Sequence, residues 1–118
     1  MNNYNNNFFP LTPAVFYILL ALAVQDRHGY GIMKKVEEDS EGRVKMGPGT
    51  LYGSIERMLK DKLIEEAGEG KGNSGERRKY YRITSLGRKH LQAELERYER
   101  VVRLKEGLSL AVFRTLFF

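Results

Sequence analysis

Apolar residues recur at helical spacing in four stretches of this chain and alternate in a fifth. Thr12-Pro13 opens the first stretch, a hydroxyl cap followed by a proline in the first turn, where its missing N–H is harmless. Val15, Ile18, Leu19, Leu22 and Ala23 then form a stripe that predicts a helix to about Gln25. Phe16 and Leu20 make other faces apolar too, as expected of a core helix or a subunit contact. Asp26-Arg27-His28-Gly29 reads as a turn, and a second helix follows from about Tyr30 to Glu38, with Tyr30, Ile32, Met33 and Val36 facing inward. Arg43 to Met46 reads as an extended link that Gly47-Pro48-Gly49 breaks. The third helix is expected over about Thr50 to Lys62. Leu51, Ile55, Met58, Leu59 and the following Leu63 make its buried stripe, and Thr50, Gly53, Ser54, Arg57 and Lys60 its open side.

Ile64 to Ala67 reads as a strand, and Lys79 to Ile83 alternates, with Tyr81 and Ile83 on one face. Between them Gly68 to Gly75 holds four glycines beside Asn73 and Ser74, so the pair predicts a β-hairpin with a long, flexible tip. Thr84 caps a last helix over roughly Ser85 to Glu106. Leu91, Leu95, Tyr98 and Val102 repeat along it at spacings of four, three and four, and Leu86, Val101 and Leu104 broaden the seam. So small a domain has too little core to cover that seam, which calls for a second subunit. The apolar tail Leu108 to Phe118 either packs on that partner or is poorly ordered. The Asn-rich start Met1 to Phe9 has neither the Arg nor the Lys of a minor-groove arm and reads as a flexible arm. The expected units are the arm over 1–9, a DNA-binding unit over 10–84, a dimerisation helix over 85–107 and the tail over 108–118.

Composition narrows the chemistry. The chain has 118 residues, 42% of them hydrophobic, enough for one domain and one core. It has no cysteine, which excludes disulfide and thiolate chemistry. His28 and His90 lie far apart without patterned carboxylates, so no metal and no cofactor are expected. The greasiest run, Ala14 to Val24, is too short to span a bilayer, and no signal-peptide pattern is present; a cytoplasmic protein with no membrane partner is expected. No nucleophile–base pair or phosphate-cradling strand–loop–helix stands out, which argues against an enzyme. The net charge of +5 is concentrated in one place. Gly68 to Lys89 holds seven Lys/Arg and two Asp/Glu, a balance of +5, while the remainder holds thirteen of each sign. A polyanion would feel that segment most.

The candidate contacts follow from this pattern. Thr50, Tyr52 and Ser54 open the third helix, where amides and hydroxyls can meet phosphate or base edges; otherwise Thr50 is only a cap and Tyr52 a core aromatic. Arg57 and Lys60 either reach phosphate or pair with Glu56 and Asp61 on a solvated face. Lys71, Asn73, Arg77 and Arg78 either hold nucleic acid from the hairpin or form a solubilising charge run, with Lys79 expected to be tucked inward. Phe16, Tyr17, Tyr98 and Val102 either line a cavity for a small aromatic effector between the first and last helices or simply pack.

Helix, helix, helix, hairpin and long helix is the winged helix-turn-helix layout with a dimerisation helix appended, mainly α with a small β-hairpin. Leu11-Thr12-Pro13, His28-Gly29-Tyr30-Gly31-Ile32, Pro48-Gly49-Thr50-Leu51-Tyr52, Leu63-Ile64, Arg77-Arg78-Lys79-Tyr80-Tyr81 and Thr84-Ser85-Leu86-Gly87 each resemble a motif of the PadR family of transcriptional regulators, in order and over about Leu11 to Leu104. The length is similar to that family's short branch. The resemblance implies a homodimeric, ligand-responsive repressor of a palindromic operator in double-stranded DNA. It also implies a phosphate contact for Tyr52 and control by phenolic compounds or drugs. Two residues depart from the pattern: Lys62 stands where the family usually has Gly, and Tyr98 stands where drug-binding members carry Trp, which puts a flat aromatic-lined pocket in doubt. A winged-helix protein-interaction module without specific DNA binding is the alternative reading.

Overall fold

The computed structural model describes residues 10–71, 75–108 and 110–118. The Asn-rich arm and Asn73 lie outside the described residues. Helix α1 (Pro13–Val24) starts as its sequence predicts: the Thr12 hydroxyl accepts from the Val15 N–H at 3.3 Å, and Pro13 occupies the first turn. Ile18, Leu19, Ala21 and Leu22 are almost fully buried, so α1 is the central core helix. Each fully buried Ile or Leu contributes about 1.5–3 kcal/mol, so three of them in one helix rival a domain's net stability. The opposite face, with Tyr17, Leu20 and Val24, is partly covered to open.

Arg27 and His28 form a two-residue strand, β1, where a turn was expected. Strand β1 adds to the hairpin β2 (Ile64–Lys71) and β3 (Arg77–Ile83), giving an antiparallel sheet in the order β1-β3-β2. Arg27 pairs with Tyr81 and His28 with Tyr80. An Arg82–Asp26 ion pair at 2.7 Å holds the entry to β1, and the Arg27 Nε donates to the Ala21 carbonyl at 2.9 Å. Strand β2 runs into the glycine segment as far as Lys71, β3 starts two residues before the alternation at Lys79, and the register slips between Glu66 and Glu69.

Helix α2 (Gly29–Asp39) buries Ile32 and Val36, but Tyr30, expected inward, is exposed. Helix α3 (Pro48–Lys60) begins before Thr50, with Gly47 at its cap, so Thr50 is not the capping residue. Its end is a Schellman closure: the Leu63 N–H donates to the Met58 carbonyl at 2.9 Å and the Lys62 N–H to the Leu59 carbonyl at 3.1 Å. Lys62 has φ +64°, so the position where the family prefers Gly does take the left-handed conformation.

Helix α4 (Ser85–Glu106) starts against that closure. The Thr84 N–H donates to the Leu63 carbonyl at 3.1 Å, and the Thr84 hydroxyl lies 2.6 Å from the Lys62 carbonyl while accepting from the Gly87 N–H at 3.0 Å. A Cβ at Gly87 would overlap the Leu63 carbonyl, so only glycine lets α4 come this close. The apolar tail is itself helical, α5 (Leu110–Phe117). Among the described residues no helix is long and apolar enough to cross a membrane.

Relief of the left-handed backbone at position 62 is measurable. Lys62→Gly should stabilise the fold by about 1 kcal/mol, seen as a higher urea midpoint at unchanged slope; a lower midpoint would show that the lysine side chain contributes more than its backbone conformation costs.

Candidate nucleic-acid interface

The amino end of α3 is an open surface. Thr50 is exposed, and a Cβ built on Gly49 or Gly53 would meet no atom within 4 Å. Arg57 and Lys60 continue this face exposed, and among the described residues no ion pair joins them to Glu56 or Asp61. Ser54 does not belong to it. It is 2% exposed, because its spacing of three from Leu51 and four from Met58 turns it into the core. The expectation that its hydroxyl meets DNA is therefore corrected.

Tyr52 joins this helix to the rest of the surface. It is about half exposed, and its phenol rests on Gly29, where any Cβ would overlap the hydroxyl. One cleft is lined by Gly29, Tyr30, Tyr52, Arg78 and Lys79, and an adjacent one by Gly49, Tyr52, Gly53, Glu66 and Lys79. The hairpin strands and the amino end of α3 thus share one surface. Burial, helped by Tyr52 and Glu66, pushes the Tyr81 phenol up from its ordinary pKa beneath it.

The hairpin cations are arranged by strand alternation. Arg77 and Lys79 are exposed, with side chains 85% and 58% accessible, so Lys79 is not tucked inward as expected. Each meets a carboxylate across the strands, Arg77–Glu69 at 3.4 Å and Lys79–Glu66 at 3.7 Å. Exposed pairs of this kind contribute only about 0–1 kcal/mol, so phosphate can replace the carboxylate at little expense. Lys71 is exposed at the end of β2, opposite Arg77.

Arg78 points to the other side, into a cluster the sequence reading missed. Its guanidinium bonds Glu76 at 2.7 Å, lies 3.2 Å from His28 Nε2 and sits 5.9 Å from the Tyr30 ring centre. His28 caps α2 by accepting from the Gly31 N–H at 3.1 Å, and its ring stacks on Tyr30 and meets the edge of Tyr80. Burial, then the Arg78 charge, lowers the His28 pKa. The signal available in sequence was the His-Gly-Tyr-Gly run, but nothing in it indicated pairing with residues fifty positions away.

Three of the four expected effector residues pack on one another. Phe16 is buried, and its ring is met edge-on by Tyr17 at 5.1 Å and Tyr98 at 5.2 Å, so the three aromatics fill the α1–α4 junction with one another. The Tyr98 hydroxyl donates to buried Glu94 at 3.3 Å, and Glu94 also accepts from the Leu11 N–H and pairs with Arg97. Val102 is exposed one turn further on. Of the expected dimer seam, Leu91 is 6% exposed in its own chain's core, which removes it from any seam, while Leu95, Tyr98 and Val102 are open.

Residues 18–93 match the family model described as Transcriptional regulator PadR-like family. The chain belongs to this family. Known proteins resemble it along most of its length. An uncharacterized protein X of Lysinibacillus sphaericus is 34% identical over 96 residues, covering 78% of this chain and 87% of that one. The crystal structure of a PadR family transcription regulator from Clostridium difficile R20291 is 29% identical with a TM-score of 0.67, over 80% of this chain and 96% of that one. Bacillus subtilis PadR in complex with operator DNA shares the fold at 18% identity and a TM-score of 0.59, over 69% of this chain and 45% of that one.

The lowered His28 pKa sets a pH dependence. A histidine harder to protonate when folded contributes stability that is complete above its unfolded value of about 6.5 and is lost as pH falls through the lower folded value. His90, lowered by burial and by Arg97, acts in the same direction. His28→Asn keeps a capping acceptor but cannot titrate, so it should flatten the loss of stability between pH 7 and 5.5 in urea melts. An unchanged slope would contradict the role given to His28.

Proposed function

We propose that this PadR-like protein is a sequence-specific DNA-binding repressor acting as a homodimer. The observation that carries this reading is the shared surface of the open amino end of α3 and the hairpin cations Arg77 and Lys79, bridged by Tyr52 on Gly29. The operator complex of Bacillus subtilis PadR supports it through the common fold. Residues 10–84 form the DNA-binding unit and 85–107 the dimerisation helix. Helix α3 enters the major groove with Gly49, Thr50 and Gly53 foremost, Tyr52 and the hairpin cations hold phosphate, and Arg57 and Lys60 reach the backbone further along. Lys71 at the end of β2 extends the contact, joined by Asn73 from the glycine-rich segment that follows it in sequence.

Two copies pair through Leu95, Tyr98 and Val102. Two-fold symmetry then requires a palindromic operator whose half-sites lie about one helical turn, ~34 Å, apart. Binding of such a site excludes other proteins from it, which is repression in its simplest form. A small aromatic effector near Tyr17, Tyr98 and Val102 would alter the spacing of the two α3 helices. It can do so only as far as its affinities for the two spacings differ. Phe16 takes part only if the aromatic cluster opens. The charge balance and the chemistry of the surface fit a cytoplasmic regulator without catalysis.

Replacement of the two outward hairpin cations, Arg77→Ala with Lys79→Ala, should weaken binding on all duplexes and reduce the slope of log affinity against log salt by about 2. The same slope in the variant would remove the hairpin from the interface. Val102 is exposed and outside its own core, so Val102→Asp should leave the fold intact and give monomers at micromolar concentration in sedimentation; an intact dimer would disprove the α4 seam.

A further inference from the structure

Strand β3 and the start of α2 enclose a cleft of about 240 Å³ whose charges do not balance. Among the described residues its wall includes His28, Tyr30, Tyr52, Arg77, Arg78 and Lys79, and no carboxylate. The acids that meet these cations, Glu66, Glu69 and Glu76, lie outside the wall. Three fixed cations and one imidazole therefore converge on a space where an anion fits.

The imidazole is neutral in this arrangement. The Gly31 N–H donates to His28 Nδ1 at 3.1 Å, which needs the Nδ1 lone pair and so leaves the ring proton on Nε2. The Arg78 Nη1 lies 3.3 Å from Nδ1 and 3.2 Å from Nε2. With one nitrogen engaged and the other carrying hydrogen, the ring offers Arg78 no free acceptor. The contact is a cation packed on a neutral ring, and a second positive charge there is opposed. Burial and then the Arg78 charge hold the His28 pKa down, against the pull of Glu76. The other neighbours are Tyr30 of α2, stacked on the ring, and Tyr80 of β3, edge-on to it. Tyr52 of α3 and Tyr81 of β3 share the cleft, Lys34 lies over Tyr30, and the Arg27 guanidinium is turned to the Ala21 carbonyl. Of these side-chain types only imidazole ordinarily changes charge between about pH 5 and 8.

We propose that this cleft is a phosphate site of the DNA surface and that His28 takes up a proton as a backbone phosphate enters it. The proposal rests on the DNA-binding reading above and adds a proton to that equilibrium. A phosphate set against Arg78 and His28 supplies the negative charge that lets both be cationic at contact distance, and imidazolium then presents two N–H donors. The uptake costs the Gly31 cap, so it is unfavourable until the anion arrives. Phosphate and proton thus favour each other reciprocally. The sign follows: the free protein resists the proton and the complex accepts it, so duplex affinity rises as pH falls through the region of about 6.5. A site built from arginine and lysine alone has no such dependence. His90, the other histidine, is buried on α4 near Arg97 and Asp61 and does not line the cleft.

Fluorescence anisotropy at constant ionic strength, with a labelled duplex recovered from a random library, reads the coupling directly. Association should strengthen by roughly three- to tenfold per subunit between about pH 7.5 and 6.5, tenfold being the limit for one proton. His28→Asn keeps a capping acceptor and should change by less than about twofold over the same range. In the unmutated chain, the His28 ring signal, assigned through its contacts with Tyr30 and Tyr80, should titrate at higher pH with duplex bound than without it. This readout does not depend on how well the variant folds. Tight duplex binding with equal strength at both pH values would overturn the proton coupling and leave DNA binding standing. So would a His28 signal that titrates alike free and bound, or a pH dependence that survives in His28→Asn. Absence of duplex binding at every pH would remove the DNA-binding reading and this site with it.

Discussion

One small junction sets the relative placement of everything functional in this protein. The carbonyls of Lys62 and Leu63 receive the hydroxyl and N–H of Thr84, at the point where α3 has closed, β2 begins, β3 has ended and α4 starts. Gly87 permits the approach, and the left-handed Lys62 turns the chain into it. Helix α3, the hairpin and α4 therefore meet within a few residues of one another. A shift there would move the candidate DNA surface and the candidate dimer surface together. This gives a physical route for an event on α4 to be felt at α3 without a separate transmitting element.

The surface itself combines an open helix end with adjustable charge. Gly49 and Gly53 leave the backbone of α3 unobstructed, and Tyr52 is fixed by lying on Gly29. The hairpin cations are held in readiness by exposed carboxylates that bind them only weakly. Arg78 is different: partly covered, bound to Glu76 and set against His28 and Tyr30, it braces the outer end of the hairpin against the start of α2. In the unbound protein the positive segment is thus tied internally, which lets the hairpin keep its shape until a polyanion competes.

Much of this was legible in the sequence because apolar periodicity records burial. The stripes of α1 and α3, the Thr12 and Thr84 caps and the Tyr81–Ile83 alternation appear as expected. The failures share a cause, which is tertiary pairing invisible to a local pattern. A two-residue strand has no period, so β1 read as a turn. Ser54 looked like surface because serine is polar, although its spacing from Leu51 and Met58 is that of a core position. Tyr30 looked like core because tyrosine is aromatic, although its partners are His28 and the hairpin cation Arg78. Leu91 fits the seam by spacing, but the body of its own chain reaches it first.

The central claim joins two surfaces: a groove-reading one formed by α3 and the hairpin, and a self-pairing one formed by α4. Selection of bound duplexes from a random library by the full chain tests both at once. The account predicts enrichment of an inverted repeat with half-site centres about one helical turn apart. Enrichment of a single unsymmetrical site, or of no sequence at all, would contradict it.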